Sequence, residues 1–137
     1  MRRALRLLAA ALVTLAVASP AGAADECSGG KNQLELTQCY DGIYRRADAE
    51  LNAVYRHLSG NLAGESRTKD DVALLEAAER AWISFRDQEC AFETAVTRGG
   101  TIHSMEVAIC LTRLTRARAA ELKRQLACPE GDLSCVR

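Results

Sequence analysis

Six cysteines, at Cys27, Cys39, Cys90, Cys110, Cys128 and Cys135, all follow an N-terminal segment with the layout of an export leader. Met1 to Arg6 carries Arg2, Arg3 and Arg6, Leu7 to Ala18 is apolar apart from Thr14, and Ser19-Pro20 leads into Ala21-Gly22-Ala23-Ala24. A charged start, an apolar middle and a small-residue cleavage motif describe a cleaved signal peptide over residues 1–23, with the mature domain at 24–137. The apolar run is shorter than the roughly 20 residues that span a bilayer. Cys27 follows Asp25-Glu26 and not a small-residue lipobox, so no stable membrane anchor is expected after cleavage. The destination is the periplasm or the outside of the cell. In an oxidising compartment an even cysteine count reads as three disulfides, which a chain with a small core needs.

Removing the leader takes away three arginines and no acid. It leaves 15 basic against 18 acidic side chains, a net charge of 15−18 = −3. There is no basic excess to hold nucleic acid. The two histidines, His57 and His103, stand far apart, and no cysteine pair has the spacing of a zinc knuckle. No metal or other cofactor is therefore expected.

Only Pro20 and Pro129 interrupt the chain, and the apolar residues between them follow helical spacing. Tyr40, Tyr44, Ala47, Leu51, Val54 and Leu58 form one stripe, with Asn32 and Glu35 placed as a capping pair and Gly60 and Gly64 at the end. Leu75, Ala78, Trp82, Phe85, Glu89, Phe92 and Val96 form a second, starting near Thr68 and stopped by Gly99-Gly100. A third helix runs from about Ser104 to Leu126, with Ala108, Leu111, Leu114, Leu122 and Leu126 inward and Arg118 in the same stripe. The expected fold is all-α, a small antiparallel three-helix bundle stapled by disulfides, with an irregular disulfide-closed tail over 127–137. Cys90 and Cys110 flank the Gly99-Gly100 turn at equal distance and Cys27 can fold back on Cys39. The preferred pairing is 27–39, 90–110 and 128–135; 39–90 competes, because Cys39 lies level with Cys90.

Polar residues interrupt these stripes. Asp48, Asn52, Trp82, Arg86, Asp87 and Arg118 fall close to one level of the bundle. They form a candidate structural network, with Asp48 and Arg118 as the candidate ion pair.

These same residues carry a resemblance. Cys27 to Cys39, Ala47-Asp48-Ala49-Glu50-Leu51-Asn52 with Tyr55, and Ala81-Trp82-Ile83-Ser84-Phe85-Arg86-Asp87 with Cys90 resemble the LprI-type lysozyme-inhibitor domain of exported bacterial proteins. Gly99-Gly100 and Cys110-Leu111-Thr112, followed by Thr115, Arg116, Arg118 and Leu122, continue it to about residue 126. The resemblance implies a helical, disulfide-held exported domain and a protein partner, a lysozyme. Cys128 and Cys135 are additional to the four-cysteine pattern of the family.

Two connections offer partner-binding positions: Glu65, Asp70 and Asp71 between the first helices, and Gly99 and Gly100 between the second and third. The alternative function is an envelope interaction domain with another protein target. An enzyme is not expected, because there is no nucleophile elbow, no close His–Asp pair and no cysteine left free if all six pair.

Overall fold

The computed structural model describes residues 26–64, 69–129, 131 and 132. Three α-helices run α1 (Gln33–Gly64), α2 (Lys69–Glu93) and α3 (His103–Leu126), with a single 3₁₀ turn (Ala95–Thr97) after α2. There is no strand among the described residues. The all-α bundle read from the sequence is therefore the fold.

The capping pair at the start of α1 is formed in both directions. The Glu35 backbone N–H donates to Asn32 Oδ1 at 3.0 Å, and Asn32 Nδ2 donates to Glu35 Oε1 at 3.0 Å. Glu35 also accepts the N–H of Lys31, just ahead of the cap, at 2.9 Å, which ties the entering chain to the first turn. The inward face of α1 is Tyr40, Ile43, Ala47, Leu51, Val54, Leu58 and Leu62, at helical steps of three and four. Ile43 and Leu62 join the expected stripe, and Tyr44 stands half-buried at its edge.

α3 meets α1 through small side chains. Ala108, Thr112, Thr115 and Ala119 are buried, whereas Leu111 and Leu114, expected inside, are only half-buried. Small residues at steps of four, three and four let two backbones approach closely, which places α3 along α1 over most of its length. Thr112 spends its hydroxyl on the Ala108 carbonyl at 2.7 Å, within its own helix.

α2 departs most from the sequence reading. Its inward residues are Val72, Leu75, Glu79, Trp82, Arg86 and Cys90. Leu75 and Trp82 are shared with the expected stripe, but Ala78, Phe85, Phe92 and Val96 point to solvent. The helix also ends at Glu93, six residues before Gly99. Thr94 Oγ1 donates to the Cys90 carbonyl at 2.7 Å and Thr97 Oγ1 to the Thr94 carbonyl at 2.9 Å. These local bonds offer the backbone an alternative to another helical turn. Gly99 then takes φ +81°, which glycine adopts without steric cost, and Gly100 N–H donates to the Thr97 carbonyl at 2.9 Å.

Two disulfides close one end of the bundle. Cys27–Cys39 pins the N-terminal turn to α1, with 5.9 Å between Cα atoms. Cys90–Cys110 joins α2 to α3 at 5.6 Å. Both are the preferred pairings, and 39–90 is excluded. Cys128 is disulfide-bonded as well. Cys135 lies outside the described residues, as do the leader, Thr68 and most of the tail beyond Pro129.

The core has two parts. One, at the disulfide end, contains Cys27, Tyr40, Ile43 and Ala108; the other contains Leu51, Val54, Leu58, Leu62, Ala119 and Leu122.

Candidate functional site

A layer of charge and aromatic rings joins α2 to the other two helices at the level of Asp48. Arg86 is buried, and its guanidinium lies 5.2 Å from the Trp82 ring centre and 5.8 Å from that of Tyr44. It pairs with Asp87 at 2.8 Å and reaches Asp48 on α1 at 3.5 Å. Asn52 Nδ2 donates to the Asp48 carboxylate at 2.9 Å and to its carbonyl at 2.8 Å, fixing the acid from its own helix. On the other side, Arg118 of α3 pairs with Glu79 at 3.0 Å and with Glu121 at 3.2 Å, and its guanidinium lies 6.0 Å from Trp82. Trp82 thus meets two cations, each within the range where a ring's negative face attracts charge.

All six residues of the expected network, Asp48, Asn52, Trp82, Arg86, Asp87 and Arg118, are brought together here. The pairing differs from the expectation: Asp48 meets Arg86, and Arg118 meets Glu79. Glu79 was missed because an acid three residues before a tryptophan on an apolar stripe reads as a solvent position. Its side chain is only 12% exposed, and Arg118 at 15% explains why it can be there.

Two grooves flank the layer. One, of about 440 Å³, lies between α1 and α2 and is lined by Asp48, Asn52, Tyr55, Glu76, Glu79 and Trp82 among others. The second, of about 530 Å³, runs between α2 and α3 past Tyr44, Arg86, Asp87, Thr94, His103 and Leu111. Burial pushes the Tyr44 phenol above its ordinary range; nearby Arg86 opposes the shift, while Asp48, Asp87 and Asp41 add to it. Tyr55 is raised by burial first and then by Glu76 and Glu79, against Arg80. Asp48 and Glu79 are both held in ion pairs, which suits an architectural role better than proton transfer.

The candidate partner-binding positions are far apart. Asp70 and Asp71 are not loop residues; they sit in the first turn of α2, where negative charge complements the helix dipole. Gly99 and Gly100 lie past the other end of α2, which is about 37 Å long at 1.5 Å per residue. Glu65 lies outside the described residues. The Gly99-Gly100 turn is an exposed tip with a firm base. His103 N–H donates to the Gly100 carbonyl at 3.2 Å, Thr97 Oγ1 and His103 Nδ1 are 3.1 Å apart, and Cys90–Cys110 closes the hairpin beneath.

Comparison with known proteins gives this fold a family. The family described as lysozyme inhibitor LprI matches residues 23–122. The chain belongs to the LprI family. The match begins beside the cleavage point expected from the sequence and covers all three helices except the last turn of α3. An uncharacterised protein of Rhizobium meliloti (strain 1021) is 35% identical over 139 residues, covering 96% of this LprI-family chain and all of the relative. No solved structure matches. No helix among the described residues is long and apolar enough to cross a membrane.

Proposed function

We propose that this LprI-family chain is an exported protein-binding domain that inhibits a lysozyme, a peptidoglycan-cleaving muramidase, and has no catalytic activity of its own. The observation that carries this reading is the family match across residues 23–122. The build of the domain supports it. Two disulfides and a close α1–α3 seam hold the backbone in one conformation, so little ordering remains to oppose association. The net charge of −3 expected for the mature chain favours encounter with a basic lysozyme.

A lysozyme cleft holds catalytic carboxylates and accepts a sugar chain. Of the two candidate segments, the Gly99-Gly100 tip suits such a cleft: it is exposed from Arg98 to Ile102 and anchored on both sides. The acids Asp70 and Asp71, at the other end of the bundle, serve long-range attraction.

The test is the clearing of a bacterial cell-wall suspension by several lysozyme types, with the purified oxidised protein in excess. Slowed clearing by at least one type is expected. Undiminished clearing by every type defeats the reading. Recovery from envelope extract of one stoichiometric partner that is not a muramidase would favour the alternative, an interaction domain with another target. Thr101→Trp at the tip should weaken inhibition roughly tenfold or more while leaving the melting temperature in place.

A further inference from the structure

Five apolar residues of α2 that the core does not use, with Gln88 among them, form a seam of their own. Leu74, Ala78, Ala81, Phe85, Gln88 and Phe92 follow one another at steps of four, three, four, three and four. That is the spacing of the contact face of a coiled coil. All six are exposed; Leu74, Phe85 and Phe92 stand 68%, 54% and 76% open. The helix therefore carries two faces: one holds Leu75, Glu79, Trp82, Arg86 and Cys90 against α1 and α3, and the other has no partner within the described chain.

We propose that this second face is covered by a second copy of the same chain, α2 against α2, antiparallel about a two-fold axis at the level of residue 83. The size pattern supports self-pairing. In that register Ala81 lies opposite Phe85 of the second copy, Ala78 opposite Gln88, and Leu74 opposite Phe92. In the two inner pairs a small side chain receives a large one, and the outer pair sets Leu74 against Phe92 as an apolar contact at each end. Along one edge of the seam Ala77, Ser84 and Ala91 repeat at seven-residue steps, all small and exposed, so the helices can close up.

Charge agrees with the same register. Asp70 and Asp71 of one copy come to the level of Val96 and Ala95 of the other, two to three positions short of Arg98, which is exposed beyond the end of α2. With Phe85 and Phe92 already partly covered in the monomer, complete coverage of the six positions would remove on the order of 500 Å² per copy from water. About 1,000 Å² in total reaches the threshold of a specific interface. The pairing has a consequence for partner binding. Asp70-Asp71 and Gly99-Gly100, at opposite ends of one copy, become neighbours across the dimer at each of its two ends.

This inference stands apart from the lysozyme reading, and its test is the mass of the particle in solution. Sedimentation of the oxidised protein should show the mass rising toward two chains with concentration. Phe85→Asp with Phe92→Asp should weaken self-association roughly 30-fold or more and leave the helical circular dichroism unchanged, because neither ring supports the monomer core. Should that pair fail to fold, Phe85→Ala with Phe92→Ala gives the same reading. Ser84→Cys, one position from the axis on the edge of the seam, should be joined to its copy by a short bis-maleimide linker. A chain that stays monomeric at every concentration overturns the proposal. So does a dimer that survives loss of both rings, or one in which the Ser84→Cys variant does not cross-link. A monomer that binds lysozyme only when Phe85 and Phe92 are present would give the face to that partner and also overturn it. A monomeric double variant that still inhibits lysozyme leaves the function reading intact.

Discussion

The guanidinium of Arg86 lies 5.2 Å from the ring centre of Trp82, four residues earlier on the same helix, and reaches Asp48 on the neighbouring helix at 3.5 Å. Arg86 therefore does what a leucine does elsewhere: it fills the inner face of α2. Its side chain is 9% exposed and that of Asp48 39%, so the two ends of the pair contribute unequally. Arg86→Ala removes two cation–ring contacts and two ion pairs and opens a hole; it should cost about 3 kcal/mol. Asp48→Ala should cost no more than about 1 kcal/mol, because Arg86 keeps Asp87 at 2.8 Å. Thermal unfolding of the two variants, side by side, measures this difference. Equal losses would contradict the assignment of Arg86 as the centre of the layer.

The Cys90–Cys110 bridge closes a loop spanning 20 positions, and Cys27–Cys39 one spanning 12. Loop-closure entropy assigns each about 3 kcal/mol. Paired Cys→Ala replacement at 90 and 110 should lower the melting temperature by roughly 10 °C or more. It should also loosen the Gly99-Gly100 tip, seen as faster amide exchange from Arg98 to His103.

Raised phenols give the fold an alkaline limit. Tyr44 and Tyr55 both have folded pKa values above the ordinary 10.0. An unfolded tyrosine loses its proton first as pH rises, so unfolding gains the ionisation energy. The stability associated with these burials is complete below pH 10 and is lost as pH climbs through the folded values. Tyr44→Phe should flatten part of that loss in denaturant midpoints measured from pH 8 to 11. An unchanged alkaline slope in Tyr44→Phe/Tyr55→Phe would contradict it.

Thr115 is fully buried at the α1–α3 seam, and among the described residues its hydroxyl has no hydrogen-bond partner. A buried, unpaired hydroxyl costs free energy that an isosteric methyl does not. Thr115→Val should stabilise by about 1 kcal/mol, whereas Thr112→Val, which breaks the 2.7 Å bond to the Ala108 carbonyl, should not. Urea midpoints of the two variants decide.

Legibility in the sequence followed the size and polarity of the inward residues. α1 was readable because its buried positions are large and apolar, from Tyr40 to Leu58. α3 was harder: Thr112, Thr115 and Ala119 touch α1 because they are small, and an apolar count favours Leu111 and Leu114 instead. On α2 the count was misled by real periodicity. Phe85 and Phe92 do keep helical spacing, but the core face runs through Glu79 and Arg86. The layer's members were visible as polar interruptions; its pairing was not, because Glu79 carries no signal without Arg118 beside it. Cys90–Cys110 followed from its spacing about the Gly99-Gly100 turn, and Cys27–Cys39 from the segment before α1 folding back onto that helix. No residue pattern marked a partner-binding surface, since tip residues such as Gly99 declare a turn and not a target.

The central claim is that a disulfide-fixed helical scaffold presents a surface that blocks lysozyme. Its most direct measurement is the rate of cell-wall lysis with increasing oxidised protein, set beside the same protein reduced and alkylated. The oxidised form should slow lysis to a plateau at a stoichiometric ratio, and the reduced form should be far weaker. Lysis proceeding at the uninhibited rate with both forms, across lysozyme types, would contradict the account.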